Sequence, residues 1–251
     1  MHEYQPKSFT PEQEARLRDS SRPSGCVENF LTEEEFKFCR SLFDQPIDWP
    51  EHGKVSKYWG FGWDDPVGQQ LHWIKPKIDQ LFSDWELDFF ALQEAITPWK
   101  IHADIRWYPD KIPYKVIIIP LDVEPVVGPV SPDQWPDSYT LSFNQRNFLS
   151  KWDKQLPITA NDQDHQRWPR PCESIQNENL VSGYHIGRDF WERYLTHIPY
   201  DHVEGLTVDK VHQWIPRSMI YHDNTALHCA DNFQANGIKT KRCLMLFTLL
   251  K

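Results

Sequence analysis

Paired cysteines are missing from this chain. Cys26, Cys39, Cys172, Cys229 and Cys243 are scattered with no CxxC pair, which disfavours thiolate zinc sites. An odd, dispersed set without a secretion signal reads as reduced thiols in a cytoplasmic protein. The opening MHEYQPKSFTPEQEARLRDSS has no apolar stretch of the signal-peptide kind. Nor does any run approach the roughly 18 apolar residues of a membrane span. A basic surplus is also lacking. Lys and Arg number 27 against 36 Asp and Glu, a formal net charge of −9, so a broad nucleic-acid footprint is not expected. The sequence has no GxGxxG or phosphate-loop pattern, no Ser-His-Asp arrangement, no internal repeat and no low-complexity tract.

What is present is apolar and aromatic. Hydrophobic residues make up 39% and aromatics 14% of 251 residues, enough for a substantial core and one large domain. Residues 1–24 are polar, carry Pro6, Pro11 and Pro23, and read as an N-terminal arm. The remaining 25–251 read as a single domain. Thr32 followed by Glu35 is a capping-box signature. Phe36, Cys39, Leu42 and Phe43 follow at helical spacing, so a helix is expected over about 32–44. A second helical region runs from Val67 to Phe82, divided or kinked at Pro76.

From Leu87 the pattern changes to short β-rich runs parted by Pro, Gly, Asn and Asp. LDFFALQEAI, KIHADIRWY, YKVIIIPLDV, YTLSFNQ, GLTVDKVHQW, RSMIYHDNTALH and TKRCLMLFTLL all read as strands. Their number and spacing suggest a mainly β sandwich or barrel of jelly-roll type with flanking helices. A polar insertion at about 145–202 interrupts them, with one helix expected near 189–196. An insertion of that length in a β domain is usually a lid or binding loop.

His102, Asp104 and Arg106 alternate with Ile101, Ala103, Ile105 and Trp107. On a strand, His102 and Asp104 share one face and can take adjacent corners of a metal. An isolated HxD is more often a surface hydrogen bond. Here the next run, Val116 to Leu121, is strongly apolar, and SMIYHDNTALHCADNFQANGIKTKRCLMLFT supplies His228 as a third ligand. Two histidines and one carboxylate leave positions open on the metal, the arrangement suited to non-haem Fe(II) oxygen chemistry. Arg242 shares its strand face with Leu244 and Leu246. A guanidinium turned inward there needs an anion and is suited to a carboxylate.

With HxD, a distal His and an R-x-L-x-L strand, the sequence resembles the Fe(II)- and 2-oxoglutarate-dependent dioxygenases, over roughly 27–250. VENFLTEEEFKFCRSLF looks like the start of prolyl-hydroxylase-like members. The resemblance implies a double-stranded β-helix, iron held by His102, Asp104 and His228, and 2-oxoglutarate bound by Arg242 with Tyr114 assisting. O2 would be the other co-substrate and hydroxylation the default outcome. Arg242 lies fourteen residues after His228, farther than is usual in that family. Lys239, in the loop before the strand, is the fallback.

Other residues offer alternative roles. His222 is an alternative distal ligand. His202 and Glu204 form an HxE pair expected in solvent. Arg106 and its neighbour Trp107 are candidates for substrate contact, Arg106 equally for a salt bridge. Trp135, Trp152, Trp168 and Trp191 either pack or line a cleft. Cys229 and Cys243 are expected on faces turned away from the site, as small core residues. The substrate is expected to be a small molecule or a peptide or protein side chain. A non-catalytic carbohydrate-type jelly-roll module and a cupin metalloenzyme independent of 2-oxoglutarate are the alternatives.

Overall fold

The computed structural model describes residues 9–45, 51–52, 56–105, 108–126, 128, 131, 134, 136–146, 173–174, 184–203 and 206–251, with only the backbone at 51–52, 173–174 and 184–185. Among the described residues, twelve strands and six α-helices follow one another in the order α1 (Pro11–Ser20), β1 (Gly25–Val27), α2 (Glu33–Ser41), β2 (Glu51–His52), β3 (Ser56–Phe61), α3 (Pro66–Gln69), α4 (Ile74–Asp79), β4 (Trp85–Ala95), β5 (Ile112–Pro125), β6 (Tyr139–Arg146), β7 (Glu173–Ser174), β8 (Tyr184–His185), α5 (Arg188–Tyr194), α6 (Tyr200–Val203), β9 (Thr207–Gln213), β10 (Met219–Asp223), β11 (Ala226–Ala230) and β12 (Ile238–Leu250). Among the described residues, no helix is long and apolar enough to cross a membrane.

The strands form two antiparallel sheets. The larger runs β1-β10-β5-β12-β4-β3-β2; the smaller runs β11-β6-β9-β8, with β7 beside β6. The chain crosses between sheets at each turn from β10 through β11 to β12, the winding of a jelly roll. Gly237, at φ +82°, ends the turn into β12, a conformation that glycine adopts at little cost. The Ile238 N–H then closes the turn on the Phe233 carbonyl at 3.0 Å.

The large sheet is apolar on both faces. Its outer face, with Phe90, Leu92, Ile117, Ile119, Leu121, Leu244 and Leu246, buries the apolar side of α2 (Phe36, Cys39) and of α4 (Ile74, Ile78). Its inner face carries Ala91, Val116, Ile118, Cys243, Met245 and Phe247. A third cluster, including Leu141, Phe143, Leu227 and Cys229, backs the small sheet against α5 and α6.

Helix α2 starts as the capping box directs. Thr32 Oγ1 accepts from the Glu35 N–H and Glu35 returns the bond to the Thr32 N–H. The arm expected over residues 1–24 is not featureless: α1 begins at a second capping box, Thr10 with Gln13. Its polar sequence hides this because Leu17 and Gln13 alone turn inward. Gln13 Nε2 faces the carbonyls of Tyr108, Pro109 and Lys111. Pro76 does not break α4; it sits in the first turn, where its missing N–H has no helical acceptor to lose. The break precedes it, between α3 and α4. The helix expected near 189–196 is α5.

Candidate metal centre

The segment KIHADIRWY is not the regular strand its alternation suggests. Among its described residues only His102 pairs, in an isolated antiparallel bridge with His228 on β11. The two backbones exchange both hydrogen bonds, at 3.0 and 2.9 Å. The loop between β4 and β5 thereby joins the free edge of β11. Two residues 126 positions apart are fixed side by side without relying on side-chain contacts.

Asp104 completes the group. The candidate ligand atoms of His102, Asp104 and His228 all lie within 4.8 Å of one another. Asp104 Oδ2 is 3.2 Å from His228 Nε2, and Oδ1 is 3.6 Å from His102 Nε2. Each imidazole is oriented through its other nitrogen: His102 Nδ1 meets the Lys100 carbonyl at 2.7 Å and His228 Nδ1 the Ala226 carbonyl at 3.0 Å. Nδ1–H donation of this kind leaves Nε2 as the free base, the form that binds a metal. Asp104 Oδ2 is buried and takes no well-oriented hydrogen bond, an uncommon state for a carboxylate oxygen. Two basic nitrogens and a converging carboxylate fit a divalent cation.

The electrostatics agree. Burial alone would raise the Asp104 pKa, but His228 and His102 outweigh it and hold the carboxylate well below its usual range. Burial, then repulsion by His228, pushes His102 down to about 4. For His228 burial works toward the neutral form, yet the Asp104 charge prevails and raises its pKa. Both shifts favour a proton on His228 beside an ionised Asp104, and a cation bound between them would displace it. His222, the alternative ligand, stands outside the group. Its Nδ1 meets the Asp223 carbonyl at 2.9 Å much as the other two meet theirs, and its ring packs on His228 at 4.0 Å, but the converging ligand atoms are those of His102, Asp104 and His228.

The three residues line a cavity of about 390 Å³ between the sheets. On its wall β12 presents Lys241, Cys243, Met245 and Phe247, so Arg242 faces the other way. Arg242 Nε pairs with Glu94 at 2.6 Å, NH1 lies 4.0 Å from Asp122, and the guanidinium stacks on Phe43. It occupies a separate surface hollow of about 180 Å³ with Arg40 and Lys37. The expected clamp is thus not brought to the triad. Strand alternation correctly groups Arg242 with Leu244 and Leu246, but that face meets the helices. Lys239 pairs with Glu124 on the surface at 2.7 Å. Tyr114 also lies on the helix side, edge-on to Phe82. Cys243, expected to point away from the site, borders the cavity; Cys229 borders it while packing in the cluster behind the small sheet.

Lys241 is the basic group the sequence reading missed. It is buried, 3.7 Å from Asp231, with its ammonium 3.9 Å from the Trp214 ring centroid. Burial lowers its pKa and Asp231 opposes that shift. Opposite parity on β12 was its only sequence signal. Arg106, Trp107, Trp135, Trp152, Trp168 and Glu204 lie outside the described residues. His202 belongs to α6. Trp191 packs: its Nε1–H donates to the Ile198 carbonyl at 2.7 Å.

No protein-family model matches this chain. No curated protein matches it either. Among solved structures it is similar to SnoK, a non-heme alpha-ketoglutarate-dependent carbocyclase from nogalamycin biosynthesis. The identity is 12% over 98% of this chain and 87% of that chain, with a TM-score of 0.50. It is also similar to an oxidoreductase of the 2OG-Fe(II) oxygenase family from Burkholderia pseudomallei, at 8% identity over 98% and 92% of the two chains and a TM-score of 0.48. A prolyl-4-hydroxylase from Pseudomonas putida gives 10% identity over 95% and 98% of the chains, with a TM-score of 0.43. Identities this low bear on fold alone. The two-sheet winding and the SnoK likeness agree: this chain has the double-stranded β-helix fold of the iron- and 2-oxoglutarate-dependent oxygenases.

Proposed function

We propose that the protein is an Fe(II)- and 2-oxoglutarate-dependent oxygenase, hydroxylating a small metabolite or a peptide side chain. The observation that carries this reading is the convergence of His102, Asp104 and His228 on one wall of the cavity inside the roll. SnoK, one of the similar solved structures, is described as alpha-ketoglutarate dependent.

In this reading His102 and His228 hold the iron through Nε2, and Asp104 supplies the anionic ligand. When bound, iron with the oxo acid supplies O2 activation and the oxidising power to break a substrate C–H bond, while the oxo acid leaves as succinate and CO2. The chain's own groups prepare that chemistry. The Lys100 and Ala226 carbonyls fix both imidazole tautomers. Lys241 anchors the remote carboxylate of 2-oxoglutarate, with Trp214 and Thr140 on the same wall. Asp231, 3.7 Å away, opposes the loss of charge that burial favours at Lys241, and a dicarboxylate would add to that support. Ile118, Met245 and Phe247 line the cavity with apolar surface, which excludes water and strengthens the ion pair to the dicarboxylate. His222 remains outside the ligand group, which speaks against a cupin-type set with more histidines.

The test is succinate formation from 2-oxoglutarate under air. Purified protein is expected to produce succinate only with Fe(II) added, and Asp104→Ala to produce none. Turnover that persists in Asp104→Ala, or that needs no iron, would contradict the proposal.

A further inference from the structure

The sheets hold Asp104 from one side only. Before it, the chain is tied to β11: the Ala230 N–H donates to the Trp99 carbonyl at 3.1 Å, and His102 exchanges both backbone hydrogen bonds with His228. After it, among the described residues, no strand follows until β5 begins at Ile112. A carboxylate two residues beyond the last tie turns with its backbone. Its convergence on the two imidazoles needs a second support.

Helix α1 supplies one. Ile105, next to Asp104 and on the cavity wall, packs into an apolar cluster with Phe9, Leu17 and Ile112. Leu17 and Gln13 are the residues that α1 buries. Gln13 Oε1 accepts from the Thr10 N–H at 2.9 Å. That bond aims Nε2 at the loop, 3.3 Å from the Lys111 carbonyl and 3.5 Å from those of Tyr108 and Pro109. The helix is itself anchored. Arg16 donates to the Lys251 carbonyl at 2.5 Å, just past β12. Beyond the last turn the Arg22 N–H donates to Asp223 at 3.1 Å and the Ser24 N–H to Asp209 at 2.7 Å, with Ser24 Oγ 2.8 Å from His212 Nε2. An isolated helix of ten residues is marginal in water, so α1 owes its order to this docking. No residue of α1 lines the cavity.

We infer that α1 positions the carboxylate ligand: Leu17, through Ile105, and Gln13, through the backbone at 108–111, hold Asp104 in register with His102 and His228. The inference rests on the metal centre proposed above and adds two positioning residues to it. A ligand that swings freely loses that freedom when the metal binds, whereas a braced one has lost it already in folding. The affinity of the centre is therefore set in part by a helix that touches neither the ligands nor the cavity.

Co(II) titration of the full chain under argon, followed by the visible absorption of the bound ion, reads this affinity without turnover. Co(II) binds nitrogen and oxygen sites more tightly than Mn(II) or Fe(II), which keeps weakened variants measurable. Leu17→Ala and Gln13→Glu are each expected to raise the dissociation constant about 10-fold, the low end of what groups orienting a ligand carry. Gln13→Glu keeps the acceptor for the Thr10 N–H, adds a charge suited to a first helical turn and loses the donor. Leu17→Met, which conserves volume, should bind within about twofold of wild type. So should Thr32→Ala, a destabilised control on the far side of the large sheet. The cycle with Asp104→Ala separates positioning from general loosening. Once the carboxylate is gone, Leu17→Ala should change Co(II) affinity by less than about twofold, because the helix acts through that residue. If Leu17→Ala does not fold, Gln13→Glu runs the same cycle. Wild-type affinity in either variant, an equal loss in Thr32→Ala, or a 10-fold loss that persists without Asp104 would each overturn the inference. A wild type that binds no Co(II) removes the metal centre and the inference together. The expected cycle without succinate formation removes the oxygenase reading alone.

Discussion

Asp104 carries the negative charge of the centre, and its place in the sequence, two residues after His102, was legible from the start. The reason it can be used is less visible. Its Oδ2 is buried with no oriented donor, so removing the carboxylate removes the partner of two imidazoles at once. Asp104→Ala is predicted to weaken Mn(II) binding by more than about 100-fold, beyond the 10–100-fold that outer partners of ligands carry; titration followed by electron paramagnetic resonance measures this directly. The basic residues give the sharper contrast. Lys241 lines the cavity and Arg242 does not. Lys241→Met is predicted to raise the KM for 2-oxoglutarate about 10- to 100-fold, the equivalent of a charged hydrogen bond of roughly 1.5–3 kcal/mol. Arg242→Ala should leave that KM within about twofold. Arg242→Ala leaves the buried Glu94 with Lys57 as its ion-pair partner, and a stability loss of about 1–3 kcal/mol is expected.

At the scale of the element, the difference between these neighbours is one of parity. Alternation along β12 states which side chains share a face. It does not state which face is the interior when Leu244 and Leu246 on one side are matched by Met245 and Phe247 on the other. A strand buried on both faces has no polar side to settle the choice. The HxD segment misled differently. Its apolar-polar alternation reads as a strand, but among its described residues only His102 pairs, because the segment serves as a connection between β4 and β5. The triad was legible nonetheless, since two residues of spacing bring side chains together in an extended loop as in a strand. Caps were the most legible elements. Thr32 and Glu35 announce α2, and the same signature at Thr10 and Gln13 was overlooked in a polar stretch. Thr32→Ala is predicted to cost about 1 kcal/mol of stability, read as a lower urea midpoint with unchanged catalytic constants, because α2 covers the sheet face opposite the cavity.

Across the whole molecule, the fold is held together by buried charge as well as apolar packing. Asp223 accepts from Lys115 and from Arg146 Nε, the latter at 3.0 Å, and from the backbone N–H of Arg22. These contacts tie β5, β6, β10 and the segment after α1 into one knot. Lys115 and Arg146 are both essentially unexposed, so Asp223→Asn leaves two cations without their counter-charge. A loss of about 3–5 kcal/mol is predicted, measurable by denaturant titration. None of this knot was legible in sequence, where the three residues lie far apart in unremarkable strands. Acid sensitivity belongs to the same scale. Burial pushes His212 down to about 4, with Lys210 adding to the shift, and pushes His197 down to about 4. Both are neutral in the fold and take up a proton near 6.5 when it opens. Their contribution is complete above pH 6.5 and is lost as pH falls toward 4, up to about 3 kcal/mol for each. Thermal melts across that range should show Tm falling with pH.

The most direct measurement is anomalous diffraction from anaerobic crystals grown with Mn(II) and 2-oxoglutarate. The account predicts one metal peak among His102 Nε2, His228 Nε2 and the Asp104 carboxylate, with the far carboxylate of the oxo acid against Lys241. A metal bound elsewhere, no metal at all, or an oxo acid seated at Arg242 would contradict it.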